Sequence, residues 1–349
     1  MAIKSIDILN VMVFQRQWRK NNGDCKIGEV KTGDKISDAF HLGFCNGINV
    51  LIGENGVGKT TILKMIYAAT QWSFEKTNPG KTKRLLDFFS NNLKNSEMLK
   101  NTESDYCYYK VSDGTHVFED SLTHEKILGY EDWLGLNIPS VYIPTTEMLS
   151  HSKGFLAMNQ KYNMPFDETQ IDIIVNASLP ETKKVSQSCE IILKEISDVI
   201  NGKVVQEDDT FYIVKNDGRK IDFSLEAEGM RKLGLLWKLI RNGLLEKNSV
   251  LLWDEPEANL NPELYPLVAN ILLALQKNGV QIFLATHSYN FAKYLEIRRT
   301  EKEQVLIHNL YRNDLGKEIM SVSAYKMEDL EPNHIMMADN QLLDEVYNM

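Results

Sequence analysis

Three short stretches of the chain carry residues whose types and spacing could do chemistry together. The run Gly53-Glu54-Asn55-Gly56-Val57-Gly58-Lys59-Thr60-Thr61 is rich in glycine and closes on a lysine and two threonines. Apolar residues Ile48 to Ile52 precede it and Ile62 to Ile66 follow it. It therefore reads as strand, loop and helix, the setting a phosphate-binding loop requires. Backbone N–H groups of such a loop, with those of the helix start, can cradle phosphate oxygens. Lys59 would reach the β- and γ-phosphates of a nucleoside triphosphate, and the Thr60 hydroxyl would face Mg²⁺. Asn55, Gly56, Gly58 and Thr61 complete the expected nucleotide contacts.

The second stretch, Val250-Leu251-Leu252-Trp253-Asp254-Glu255, ends an apolar run on two acids. Asp254 can hold Mg²⁺ directly or through water, and Glu255 can polarise an attacking water or accept its proton. The plainer reading of the pair is a polar cap for the helix beyond Pro256. In the third stretch, Ala285-Thr286-His287-Ser288, a histidine follows another apolar run. His287 could hydrogen-bond a γ-phosphate and orient the water or Glu255. The other six histidines are scattered and suggest no metal set.

Such residues must be brought to one place by the elements that carry them. Ile3 to Phe14, Lys26 to Val30 and Ile48 to Ile52 read as strands, and Val57 to Ala69 as a helix. Val141 to Ile143 is a strand ending at Pro144, with Thr145-Thr146-Glu147 just beyond. Phe166 to Ile200 is mainly helical, and Lys203 to Phe223 is a short β-meander turning at Asn216-Asp217-Gly218. Gly229 to Leu245 is an amphipathic helix burying Leu233, Leu236, Trp237 and Ile240. Strands Val250 to Asp254 and Gln281 to Ala285 flank a helix from Glu263 to Lys277. The tail adds one or two strands and a terminal helix from Asp339 to Tyr347. This alternation predicts an α/β fold with a mostly parallel sheet covered by helices on both faces. Residues 1–349 are expected to form a single unit, with 72–130 an insertion of helix and β-hairpin and 131–245 including a helical lobe.

The composition, 43% hydrophobic and 25% charged, is that of an ordinary globular protein. Neither a secretory signal nor a spanning helix is visible, and four widely spaced cysteines suggest unlinked thiols in a reduced, cytoplasmic setting. A formal charge of −9 argues against broad attraction to nucleic acid. Two local basic clusters remain, Lys76, Lys81, Lys83 and Arg84, and the pair Lys183-Lys184. Each is either solvated surface or a polyanion contact.

With Gly53 to Thr61, Leu251 to Pro262 and Ile282 to Ser288 in this order, the chain resembles an ABC-type ATPase head of the Rad50, SMC, RecF and OLD-like group, in particular compact bacterial ATPases of phage-defence modules. The resemblance implies a P-loop NTPase head with an antiparallel β subdomain and an inserted helical lobe, binding ATP and Mg²⁺. It also implies two heads that sandwich ATP, one offering a signature helix to the nucleotide of the other. The matching region is Leu225 to Arg231, with Gly229 toward the γ-phosphate; Ala227 stands where the usual signature serine would be, and Glu228 replaces a small residue. Glu147 falls where such heads carry a glutamine loop, and is read either as a water-mediated Mg²⁺ ligand or as a cap for the segment after Met148. Asn259 and Asn261 lie in the loop that would cross the dimer, or else cap the next helix.

The function implied is Mg²⁺-dependent ATP hydrolysis that gates head association and regulates a partner effector encoded nearby, in phage defence or in DNA or RNA surveillance. The alternatives are a nucleotide-regulated binding module with little turnover and an ATPase-linked nuclease. No long heptad segment supports a self-contained tether, and no membrane partner is expected.

Overall fold

The computed structural model describes residues 2–15, 39–90, 96–101, 107–122, 126–129, 132–162, 164–313 and 318–347. The strand expected from Lys26 to Val30 lies outside them. Fourteen strands are present among the described residues, in chain order β1 (Ser5–Leu9), β2 (Phe40–Gly43), β3 (Ile48–Gly53), β4 (Tyr108–Ser112), β5 (Val117–Ser121), β6 (Lys126–Gly129), β7 (Ser140–Ile143), β8 (Gly202–Glu207), β9 (Thr210–Lys215), β10 (Lys220–Asp222), β11 (Val250–Asp254), β12 (Gln281–Ala285), β13 (Val305–Arg312) and β14 (Ile319–Ala324). The α-helices are α1 (Lys59–Trp72), α2 (Phe155–Tyr162), α3 (Glu168–Ser178), α4 (Gln187–Ile200), α5 (Glu228–Arg241), α6 (Tyr265–Lys277), α7 (Tyr289–Arg298) and α8 (His334–Tyr347).

Three sheets organise the chain. The largest runs β14-β13-β3-β12-β11-β7 and is parallel except for its β13–β14 edge pair. Every residue of β3, β11 and β12 is buried. A parallel strand covered on both faces reads as a continuous apolar run, which is why these three were legible. Register aligns their ends: Leu51 faces Ala285, and Ala285 faces Asp254. The phosphate loop, the acidic pair and the Thr286-His287 turn therefore leave from one edge, the carboxyl edge where open α/β sheets bind ligands.

A five-stranded antiparallel sheet, β2-β1-β4-β5-β6, lies across α1 from the first. Its strands β4 to β6 come from the 72–130 interval, and β4 pairs directly with β1 from Ser5↔Ser112 to Leu9↔Tyr108. The interval read as an insertion is thus stitched into the N-terminal sheet. Its helical content among the described residues beyond α1 is short 3-10 turns, including Leu85–Phe88 and Ser96–Leu99. Helix α1 is buried nearly all round, from Thr61 to Thr70, because it packs against strands of both sheets.

The meander β10-β9-β8 and helices α3, α4 and α5 form the helical lobe. Ser186 caps α4 by accepting from the Cys189 N–H, and the αL residue Asn201 ends it. Leu233, Leu236 and Ile240 of α5 are buried, as their spacing requires. The terminal helix α8 begins at His334, five residues before Asp339, and buries none of its residues. Among the described residues, no helix is long and apolar enough to cross a membrane.

Candidate functional site

The phosphate loop is held by two close backbone approaches. At Gly53, φ is +142°, and a Cβ there would meet the Leu310 carbonyl at 2.1 Å. At Gly58, φ is +94°, and a Cβ would strike the Phe14 ring at 2.5 Å. Neither position admits another residue without a shift of the loop. Beyond Gly58 the first N–H groups of α1 have no intrahelical acceptor and point out of the helix start. Asn55 and Gly56 are exposed at the tip, and Arg312 from the end of β13 donates to the Gly56 carbonyl at 2.9 Å. Thr61 is buried, and its hydroxyl donates to Met12 Sδ at 3.8 Å, so its backbone is the part left for phosphate.

Lys59 Nζ donates to the carbonyls of Gly53 at 2.7 Å and Glu54 at 2.8 Å. Burial pushes its pKa down to about 8, against the opposing pull of Asp254, Glu255, Glu257 and Glu54. Thr60 Oγ1 lies 2.9 and 3.1 Å from the two Asp254 oxygens, and the buried Asp254 carboxyl is held above its ordinary range by desolvation. A hydroxyl and a desolvated carboxylate meeting at the loop mouth form a hard-oxygen pair that fits Mg²⁺.

Glu255 adopts φ +49°, a left-handed conformation costly for a residue with a side chain. Its N–H donates to the Ala285 carbonyl at 2.8 Å, and Lys232 of α5 donates to its carbonyl at 3.2 Å. The bent backbone leaves the carboxylate about one-third exposed, with Oε1 3.6 Å from His287 Nε2. His287 Nδ1 lies 3.4 Å from Lys59 Nζ, so a neutral ring would accept there on Nδ1 and turn its Nε2 proton toward Glu255, just beyond hydrogen-bond reach. Burial, and then the Lys59 ammonium, hold the His287 pKa below its ordinary 6.5. The three residues placed in separate stretches by sequence thus form one chain, Lys59–His287–Glu255, beside the Thr60–Asp254 pair.

Two groups that sequence reasoning missed hold this arrangement. Glu257 Oε1 accepts from the Thr286 hydroxyl at 2.6 Å and from the His287 N–H at 3.0 Å, tying the acidic loop to the histidine turn. Lys232, only 3% exposed, also donates to the Ala258 carbonyl at 2.5 Å. The available signals were a second acid two residues after Glu255 and a lysine on the apolar side of α5.

Other expected residues sit apart from this cluster. Glu147 does not approach Thr60 or Asp254 through any hydrogen bond or ion pair among the described residues. Its carboxylate accepts from the N–H groups of Leu149 at 2.5 Å and Ser150 at 3.2 Å, and pairs with Arg231 of α5 at 3.0 Å. In this arrangement the carboxylate caps the segment after Met148, the second of the two roles expected for it. Gly229 is buried against its own chain, where a Cβ would lie 3.2 Å from Leu260 Cδ1. Its N–H remains among the helix-start donors of α5 without an intrahelical acceptor. Ala227 is the exposed N-cap of α5 and offers no side-chain cap. Asn259 donates to Glu228 at 2.8 Å, and Asn261 caps the next turn by accepting from the Glu263 N–H at 3.2 Å.

Residues 79–292 match the family described as "AAA domain, putative AbiEii toxin, Type IV TA system". That span contains the acidic pair and His287 and begins after the phosphate loop. Among curated proteins, the arginine transport ATP-binding protein ArtP of Haemophilus influenzae is 37% identical over 65 residues, 19% of this chain and 27% of that protein. The chain thus spans about a quarter of the length of that relative. Among solved structures, the Smc head bound to the C-winged helix domain of ScpA aligns with TM-score 0.54 at 12% identity, covering 95% of this chain and 100% of that one. An Smc head with an extended coiled coil bound to the C-terminal domain of ScpA, from Pyrococcus furiosus, aligns with TM-score 0.50 at 10% identity, covering 99% of each. These likenesses establish the fold as that of an ABC-ATPase head.

Proposed function

The chain belongs to this AAA-domain family, and on that premise we propose that it is a Mg²⁺-dependent ATPase whose nucleotide cycle gates association of two heads and thereby controls a partner protein. The observation that carries the reading is the convergence of Lys59, His287 and Glu255 beside the Thr60–Asp254 pair. The loop N–H groups and Lys59 bind and orient the phosphates. Thr60 and Asp254 would hold Mg²⁺, which when bound neutralises phosphate charge and polarises the phosphoryl oxygens. Glu255 orients the water and accepts its proton, while neutral His287 bridges Glu255 and Lys59. Glu257 and Lys232 act through these groups by fixing the two loops.

Association follows if ATP favours the closed pair of heads, the loop of one meeting the α5 start of the other. The Smc heads solved with ScpA domains are a precedent for partner binding by this fold. A partner encoded nearby, a role in phage defence or nucleic-acid surveillance, and a cytoplasmic location belong to the same proposal. Phosphate release with and without Mg²⁺, alongside light scattering with and without ATP, tests it. Mg²⁺-independent or absent turnover would defeat the enzymatic part.

A second reading, a nucleotide-regulated module with little turnover, is favoured by Ala227, which lacks the hydroxyl a serine would present. Its φ of −61° and ψ of 140° suit a side-chain cap. Ala227→Ser is expected to stabilise the fold by about 0.5–1 kcal/mol through that cap and to raise the ATP-dependent dimer fraction and turnover. Stability and turnover measured together check this; a stability gain with no change in association would confine the position to capping.

His287 supplies a pH signature. Because its pKa lies below 6.5, the ring is neutral at pH 7 and gains its proton only on further acidification. Turnover is expected to be level from neutral pH upward as far as His287 is concerned, and to fall on the acid side of 6.5. His287→Gln should lower turnover by about tenfold or more and abolish that acid limb. An acid limb unchanged in the variant would remove His287 from the proton chemistry.

A further inference from the structure

The outer face of the helical lobe carries an open groove of about 560 Å³ between α4, α5 and the segment before α4. Lys183, Lys184 and Lys194 stand exposed around it, and none has an ion-pair partner among the described residues. Arg241, which also lines it, is engaged by Glu181 at 3.0 Å and donates to the Thr182 carbonyl at 3.0 Å. A single acid, Glu190, faces the same space. In a chain of formal charge −9 this is a local reversal of sign. The groove also presents apolar surface from Leu193 and Trp237, which are 8% and 7% exposed.

We propose that this groove docks an acidic peptide segment of a partner protein, its carboxylates on the three lysines and an apolar side chain over Leu193 and Trp237. Complementary charge steers and orients such a segment, and the apolar contact anchors it. A nucleic-acid strand fits less well. The free cations are gathered around one groove instead of along a track, and the net charge of the chain opposes a long polyanion.

The groove also has a direct line to the candidate site. Trp237 and Arg241 lie on α5, whose Lys232 holds the Glu255 and Ala258 carbonyls and whose Arg231 holds Glu147. From Lys232 to Trp237 the helix rises only about 8 Å. An occupant that displaces Trp237, or draws Arg241 from Glu181, therefore bears on the loop carrying Glu255. This coupling rests on the ATPase reading; the docking does not.

A fluorescein-labelled peptide of alternating Glu and Leu, titrated without nucleotide at physiological ionic strength, tests the docking by anisotropy. Saturable binding is expected, weakened about tenfold or more by combined Lys183→Glu, Lys184→Glu and Lys194→Glu. The same charge change at exposed Lys153, Lys203 and Lys247, outside the groove, should leave binding unchanged. No binding, equal weakening by both variants, or preferential lysine-dependent binding of oligothymidine would overturn the proposal. The peptide is also expected to change phosphate release by the wild-type protein; lysine-dependent binding with unaltered release overturns the coupling and leaves the docking. Because binding is read without nucleotide, it stands or falls separately from the ATPase reading.

Discussion

Lys59→Ala is expected to weaken ATP binding about a hundredfold or more. Lys59 is 6% exposed, and the side chains that act on it electrostatically include the acids Asp254, Glu255, Glu257 and Glu54. Its ammonium is set among those carboxylates, of which Asp254, Glu255 and Glu257 also act on the buried Lys232, so its removal makes the loop mouth more acidic and a triphosphate would then meet stronger repulsion where it now meets a donor. The backbone cradle survives, because Gly53 and Gly58 shape it and the lysine side chain only folds over the Gly53 and Glu54 carbonyls. Titration calorimetry reads the affinity, and circular dichroism checks that the fold is retained. Wild-type affinity in a folded variant would remove Lys59 from phosphate binding. Metal-dependent cleavage of nucleic acid that persists in this variant would reveal a second chemistry, the nuclease alternative.

Glu255→Gln is expected to leave ATP affinity within a few-fold of wild type while lowering turnover by about 10²–10³. The substitution keeps the shape of the side chain and the backbone bonds to Ala285 and Lys232, and removes only the charge and the proton acceptor facing His287. With ATP and Mg²⁺ the variant should accumulate as a dimer in light scattering over a concentration series, since the γ-phosphate that favours closure is no longer lost. Wild-type turnover would reject the role of Glu255. An unchanged mass distribution would leave a monomeric switch or a constitutive assembly. A bulky acidic residue at Gly229 is a poorer probe of the dimer, because it would collide with Leu260 of its own chain.

The placement of Asp254, Glu255 and His287 was legible because Asp254 ends β11, Glu255 follows it and His287 lies two residues beyond β12, and the two-sided burial of β11 and β12 imposes apolar runs on the sequence. The meander and α5 were legible for a related reason, with turn residues and helical spacing matching what the structure buries. The 72–130 interval was legible only in part. Its β-hairpin was expected, but the pairing of β4 with β1, about a hundred residues away in the chain, was not.

What the sequence by itself determined is the set of reactive residue types and the strands that deliver them, since local periodicity and glycine spacing record burial and backbone geometry. Long-range packing decided the rest. It placed Glu255 at a positive φ between β12 and α5, and joined Glu257 to the histidine turn. It engaged Glu147 with Arg231 and packed Gly229 against Leu260. Those outcomes depend on which elements meet across separations of 23 to 84 residues, and a side-chain pairing over such distances leaves no period in the chain.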